Sequence, residues 1–396
     1  MFARQGHPCL FTRYTIHLQF AKNPYTQAMP DALKRATWIE LFYDLAFVAL
    51  VAQLTYLVAQ YHHTLIDYLN IFIVGYSIFI AWWATSVNRN LQATETVTDK
   101  FLIQLQMVGA FVMSLTMPAV FAGDYFGFFL TLALVRFVQV FMLLRMYHLH
   151  PETAPATYNV VQGLLVAGAL WVVSGLVVGE YHFVVALMAL AIDILTPLSV
   201  GRGNSTRLLN VAHLKERLGL FLMLVMGESM IVVALANTAT ALTVVEPFIV
   251  LSGLLFMIAL WWLYFEYMDT HADVRPRNLF LFLHAHAGLY AGIILLSVGY
   301  KFLLSGIAPY PTVSFLFLGM VLIALTLLLL RSTLHVLCWR AGVLLALHML
   351  LGVGVIWYGL QTGRVFATTT FLTMLFVSVA ILERFQVFAP VRTLTR

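Results

Sequence analysis

Charge is scarce in this sequence. Asp, Glu, Lys and Arg make up 10% of its 396 residues, 62% are hydrophobic, and the mean hydropathy is +0.91. That composition excludes an ordinary soluble domain. Cysteine is nearly absent: Cys9 and Cys338 are the only two, and both fall on the side assigned below to the cytoplasm, which excludes a disulfide framework. The sequence also lacks a phosphate-binding glycine loop, a dinucleotide fingerprint and a Cys/His finger. No cofactor and no nucleic-acid partner are therefore expected, despite a net charge of +5. The first 28 residues contain no continuous apolar stretch after their basic residues and do not read as a signal peptide. Met29 opens "MPDALKRATWIELF", a basic lead into the first apolar run, and is expected to be the working start.

What is abundant is apolar sequence in long runs. Crossing about 30 Å of hydrocarbon at 1.5 Å per residue takes roughly 20 residues. Twelve such runs begin near residues 37, 66, 101, 125, 158, 181, 214, 246, 279, 312, 339 and 366. They are continuously apolar rather than alternating, which selects helices over a membrane β-barrel. The expected fold is an all-α polytopic membrane protein of about twelve transmembrane helices. With both termini placed in the cytoplasm, 19 basic residues fall in inside segments, whereas Lys301 and Arg364 fall outside and Arg136 lies within a helix. This asymmetry supports both the helix count and the orientation.

An internal repeat emerges at an offset that drifts from 176 to 186 residues. Glu40 has a counterpart in Glu216, Trp82-Trp83 in Trp261-Trp262, Gln104 and Gln106 in His284 and His286, and Arg145 in Arg331. Six helices return the chain to its starting side. The expectation is a cytoplasmic tail over residues 1–35 followed by two parallel six-helix repeats, 36–212 and 213–396, with a polar site between them, as in transporters built from parallel repeats.

Ionisable side chains within the apolar runs are the candidates for chemistry, because a charge at the centre of a spanning helix costs about 2.5–3.5 kcal/mol and normally faces protein or water. They are Asp44, Arg136, Asp193, Glu228, Glu266, His284, His286 and His348. Glu40 and Asp44, four residues apart, share one helical face and would form an acidic rim. His213, Arg217 and Glu228 trace a similar stripe on the seventh helix. Arg136 is expected to neutralise Asp193 or Glu228. His284 and His286 lie two residues apart, some 200° around a helix, and so cannot readily chelate one metal; no metal site is expected. Ser229 in "GES" sits within a helix rather than on a strand-to-helix turn, so it is not a hydrolase nucleophile, and the chain is not expected to be an enzyme. The tryptophan pairs read as interfacial anchors, and the glycines of "GLYAG" and "GLVVG" as close helix contacts.

Two stretches carry a family resemblance. "ATWIELFYDLAFVALVAQL" and "HLKERLGLFLMLVMGESMIVVA" resemble, in order and spacing, the two hallmarks of the low temperature requirement protein A family. The resemblance implies a bacterial multi-pass protein of the cytoplasmic (inner) membrane, named for a need in cold growth, with no assigned molecular activity. It marks Glu40, Asp44, His213, Glu216, Arg217, Gly227, Glu228 and Ser229 as the positions to carry over.

From the density of intramembrane ionisable groups, the expected function is a proton-coupled transporter or channel. Its partners would be the lipid bilayer and a small solute or ion, with protons among the candidates. Glu228 and Asp44 are the leading proton-binding groups, and His284 or His286 could relay, since imidazole titrates near neutral pH. The rival expectation is a membrane scaffold, or a membrane-embedded enzyme, acting in lipid organisation or cold adaptation. Topology is directly testable: single cysteines introduced at His62, Thr240 and Pro309 should react with an impermeant thiol reagent from outside the cell. Labelling of any of them only from the cytoplasm would remove the arrangement.

Overall fold

A computed structural model describes residues 35–384, except 61–63, 93–94, 150–153, 178, 180, 200–208, 237–244, 272–273, 306–308 and much of 335–363. Every regular element among the described residues is helical. The helices are α1 (Trp38–Val58), α2 (Leu65–Leu91), α3 (Val97–Phe121), α4 (Phe126–Leu149), α5 (Ala154–Leu176), α6 (Tyr181–Leu195), α7 (Val211–Leu235), α8 (Val245–Thr270), α9 (Leu279–Leu304), α10 (Pro309–Leu334) and α11 (Val365–Arg384). A 3₁₀ turn, Thr196–Ser199, continues α6. Ten of these helices, counted among the described residues, are long and apolar enough to cross a membrane. The expected run near 339 falls largely outside the described residues, as do Met29, His62, Thr240, His348 and both cysteines.

Local chemistry sets where the helices begin. Thr37, Thr64 and Thr96 each precede an acid by three residues, and Glu40, Asp67 and Asp99 accept from the backbone N–H of the respective threonine at 2.8, 2.7 and 3.0 Å. Such boxes satisfy backbone donors that a helix start leaves open. Asn210 and Asn278 cap α7 and α9 by accepting from His213 N and Leu281 N.

The first helix packs on α3, α7 and α2, while α2 also meets α4 and α6. In the second part of the chain, α7 packs on α9 and α8, α9 on α10, and α8 on α11. One face of the bundle collects the helix ends that carry the basic residues. There Arg145 Nε lies 3.4 Å from Asp99 Oδ1, and Lys215 Nζ donates to the carbonyls of His271 and Val274 at 2.6 and 2.7 Å. Lys301 stands toward the other end, 5.6 Å from the centre of the Tyr56 ring.

Packing corrects two readings. Trp82 and Trp83 are 0% and 7% exposed, so the first tryptophan pair is buried within the bundle rather than anchored at an interface. Trp261 and Trp262, at 44% and 39%, do lie on the outer surface. Of the glycine patterns, "GLYAG" is a close contact: a β-carbon on Gly292 would meet Gly319 O at 3.0 Å, and one on Gly288 would meet Thr326 Cγ2 at 2.4 Å. In "GLVVG", Gly175 makes only ordinary contact with Phe126, and Gly179 adopts φ +79° with open space around it. Gly179 therefore serves the turn into α6, where L side chains rarely fit.

The α9–α10 crossing brings backbone against backbone. A β-carbon on Gly319 would lie 2.7 Å from Leu296 N and 2.8 Å from Gly292 O, with no flexible side chain to yield. Gly319→Ala should therefore lower stability by about 1–3 kcal/mol, despite alanine's better helix propensity. Thermal melting of the detergent-purified variant checks this, and an unchanged or raised midpoint would show that the two helices can part without loss.

Candidate functional site

Three helices each project a short polar stripe into one buried cluster. From α1 come Glu40 and Asp44, one turn apart. From α7 come His213 and Arg217 with the same spacing, and α2 supplies Trp82, Ser86, Arg89 and Asn90. Glu40, Asp44, Arg89, His213 and Arg217 are each no more than 2% exposed. The expected acidic rim is thus no rim: both carboxylates are enclosed, because α7 lies directly against their face of α1.

Arg217 holds the centre. Its Nη2 donates to Asp44 Oδ1 at 2.5 Å and to Ser86 Oγ at 3.3 Å, and its Nη1 lies 3.4 Å from Glu40 Oε1. Trp82 Nε1 donates to the same Asp44 oxygen at 2.7 Å, and the indole stacks on Phe221 with centroids 4.3 Å apart. Glu40 is also approached by Arg89 Nε at 3.9 Å, and Arg89 Nη2 reaches Glu95 Oε1 at 2.9 Å.

His213 is oriented by a neighbour. The Asn90 amide is fixed by two bonds to the Asn210 backbone, donating to its carbonyl at 2.7 Å and accepting from its N–H at 2.9 Å. Its nitrogen therefore donates to His213 Nδ1 at 3.2 Å. That leaves Nε2 as the protonated nitrogen, 3.6 Å from Glu40 Oε2. Two carboxylates, two guanidinium groups and a directed imidazole thus share one dry junction between α1, α2 and α7. Unit charges 4 Å apart attract by about 4 kcal/mol at an effective dielectric near 20, so each anion needs more than one partner to offset its burial comfortably. Glu40 has three and Asp44 has two.

A second buried pair lies between α4 and α6. Arg136 Nη2 stands 3.0 Å from Asp193 Oδ2, which also accepts from Trp171 Nε1 at 2.9 Å. Arg136 Nη1 donates to Gln139 Oε1 at 2.9 Å, and Gln139 Nε2 donates to the Ala81 carbonyl at 2.7 Å and to Thr85 Oγ1 at 3.0 Å. The same Ala81 carbonyl accepts from Tyr43 O–H at 3.4 Å, so one backbone group touches the polar networks on both sides of α2.

The other sequence candidates stand apart from these clusters. Glu228 is half-buried on α7 and has no hydrogen bond or ion pair with any described residue; Arg136, expected as one of its two possible counter-ions with Asp193, is committed to Asp193. Ser229 is buried beside it, whereas Glu216 and Glu266 are exposed. His284 Nδ1 meets Tyr76 O–H of α2 at 2.6 Å, while His286 donates from Nδ1 to the Phe282 carbonyl at 2.7 Å and accepts at Nε2 from Tyr264 O–H of α8 at 3.0 Å. The two histidines thus face different helices, and His286 has both ring nitrogens satisfied, which suits a fixed core role better than a relay.

Sequence reasoning missed Arg89, Trp82, Gln139 and Trp171. Arg89 was counted as a cytoplasmic charge although it is enclosed within α2. The polar run Ser86, Asn88, Arg89, Asn90 at the end of an apolar helix was the available signal.

A family model described as "Bacterial low temperature requirement A protein (LtrA)" matches residues 35–380. An uncharacterized protein of Rhizobium meliloti (strain 1021) is 23% identical over 293 residues, covering 68% of this chain and 70% of that protein. No solved structure matches.

Removing Arg217 would leave Asp44 with only a tryptophan donor and Glu40 with one fewer cation. Arg217→Met should cost about 3–5 kcal/mol, the usual penalty of stranding a buried charge. Adding Glu40→Gln and Asp44→Asn should recover much of that loss by removing the stranded charges. Melting midpoints of the single and triple variants in detergent decide it; a single variant as stable as the parent would mean that these charges are hydrated rather than paired.

Proposed function

Because this chain belongs to the bacterial low temperature requirement A family, we propose that its buried α1–α2–α7 junction is the polar site of a proton-coupled transporter or channel in the cytoplasmic membrane. The observation that carries the reading is the meeting of the two hallmark stretches. Glu40 and Asp44 of the first contact His213 and Arg217 of the second across 173 residues of chain between Asp44 and Arg217. Residues that a helix bundle needs only for adhesion can be apolar, and ionisable groups in spanning helices mark ion or proton pathways by default.

The chemistry follows from competition for one guanidinium. Arg217 is shared between Asp44 and Glu40, and Asp44 Oδ2 has no hydrogen-bond partner among the described residues. A proton, or a cationic solute, arriving at Asp44 would displace Arg217 toward Glu40, where Arg89 and His213 already compete for the same oxygens. One charge step thereby changes the electrostatic bond between α1 and α7. Glu228, deeper on α7 and unpaired among the described residues, is a second proton-binding candidate on the same helix.

The two-repeat plan gives this step a mechanical meaning. The neighbour relations α1–α2, α1–α3, α3–α4 and α2–α6 of the first half recur as α7–α8, α7–α9, α9–α10 and α8–α11 in the second. This supports a chain of about twelve spans in which α1 and α7 are equivalent helices facing each other across the interface of two halves, 36–212 and 213–396. Rocking of one parallel repeat against the other about such a junction is a known route to alternating access.

The full chain reconstituted in vesicles with an internal pH dye should show proton-linked flux with some member of a panel of inorganic ions and small solutes. Asp44→Asn and Glu228→Gln, which keep shape and remove charge, should abolish that flux in vesicles containing equal amounts of folded protein. Absence of proton-linked flux across the whole panel, or undiminished flux in both variants, would transfer the reading to a membrane scaffold or enzyme.

A further inference from the structure

A partly open cavity of about 100 Å³ lies between α2, α4, α5 and α6, away from the α1–α7 junction. Most of its wall is hydrocarbon, from Ile80, Met142, Leu143, Val160 and Leu164. Three residues that line it carry polar atoms with no hydrogen-bond partner among the described residues: Trp83 Nε1, Asn88 Nδ2 and Asp193 Oδ1. All three side chains are more than nine-tenths buried. Buried polar groups are otherwise nearly always paired, and leaving one unpaired costs about 1–3 kcal/mol. An otherwise apolar cavity that gathers three such atoms is therefore incomplete without an occupant.

The orphan atoms define the occupant's head. Trp83 and Asn88 offer N–H donors and require an acceptor, while Asp193 Oδ1 is a carboxylate acceptor and requires a donor. A hydroxyl supplies both from one atom. The other Asp193 oxygen is already held by Arg136 and Trp171, so the local charge is balanced and the site has no need of an ionic head. An apolar cavity of about 150 Å³ accommodates benzene. The present volume accordingly suits a hydroxyl and the first few carbons of a chain, with the remainder extending from the open side.

We propose that this cavity is a binding site for a neutral single-chain amphiphile bearing a hydroxyl head, the hydroxyl lying among Trp83, Asn88 and Asp193 and the chain along α4 and α5. The site is separate from the proton-coupling junction, and it can be occupied whether or not the protein transports anything. Its recognition is polar as well as greasy, which distinguishes it from a void that any hydrocarbon would fill.

The test uses the full chain purified in detergent and a diazirine derivative of 1-octanol as photolabel, with mapping of labelled peptides by mass spectrometry. Labelling should concentrate on residues 139–146 and 157–164, and an excess of 1-octanol should reduce it at least fivefold while octane at equal activity leaves it in place. Leu164→Trp, which fills the cavity, and Asn88→Leu, which removes one polar contact, should each reduce the same peptides' labelling in variants that elute as the parent does. Equal competition by octane would overturn the proposal in favour of an unselective void. So would labelling no stronger there than on outward-facing positions such as Leu105 or Phe111, or labelling that neither variant changes. The alcohol–alkane comparison needs only the unaltered protein, so a misfolded variant cannot rescue or sink the idea.

Discussion

Arg217 between Asp44 and Glu40 is the contact on which the arrangement of this protein depends. In hydrocarbon an isolated charge is costly, and the cost is relieved only where opposite charges and hydrogen-bond donors converge within a few ångströms. That requirement ties α1 to α7, helices far apart in the chain, more specifically than apolar packing could. Leucine against leucine tolerates sliding, whereas a guanidinium shared by two carboxylates does not. Trp82 and Phe221 close the junction against lipid and water, with the indole N–H adding a fixed donor to Asp44.

The same construction occurs a second time with different helices. Asp193 accepts from Trp171 on the oxygen that pairs with Arg136, as Asp44 accepts from Trp82 on the oxygen that pairs with Arg217. In both, one carboxylate oxygen is saturated and the other has no hydrogen-bond partner among the described residues. The two units differ in their surroundings. The Arg136 unit is bound into amide and hydroxyl groups of Gln139, Gln106 and Thr85, a neutral network suited to holding helices at a fixed distance. The Arg217 unit is surrounded by further ionisable groups, so a change of protonation at one member alters the balance of all.

Much of the fold was legible along the chain. Apolar runs beginning near 37, 125, 181 and 279 became helices beginning at Trp38, Phe126, Tyr181 and Leu279, because in a bilayer the backbone must satisfy itself locally and continuous apolar sequence permits little else. Glycine patterns were less reliable, since spacing alone did not separate Gly292, pressed against Gly319, from Gly179 in a turn. The tryptophan pairs misled for a related reason: two neighbouring helices can bury a residue whose composition and position suit an interface.

Of the site, the sequence by itself determined its members on α1 and α7. Charged residues recurring every four positions in apolar helices must share a face, and that face must turn from lipid. Which charges meet was decided only by the tertiary structure. Arg136 found Asp193 rather than Glu228, Arg89 turned inward from the bundle's end, and Glu216 was left exposed although it occupies the repeat position of Glu40. The physical reason is that helical periodicity fixes direction within one helix, whereas pairing depends on the depth and rotation of two helices together. Those are set by the sum of all side-chain contacts along their length, which no local stretch of sequence contains.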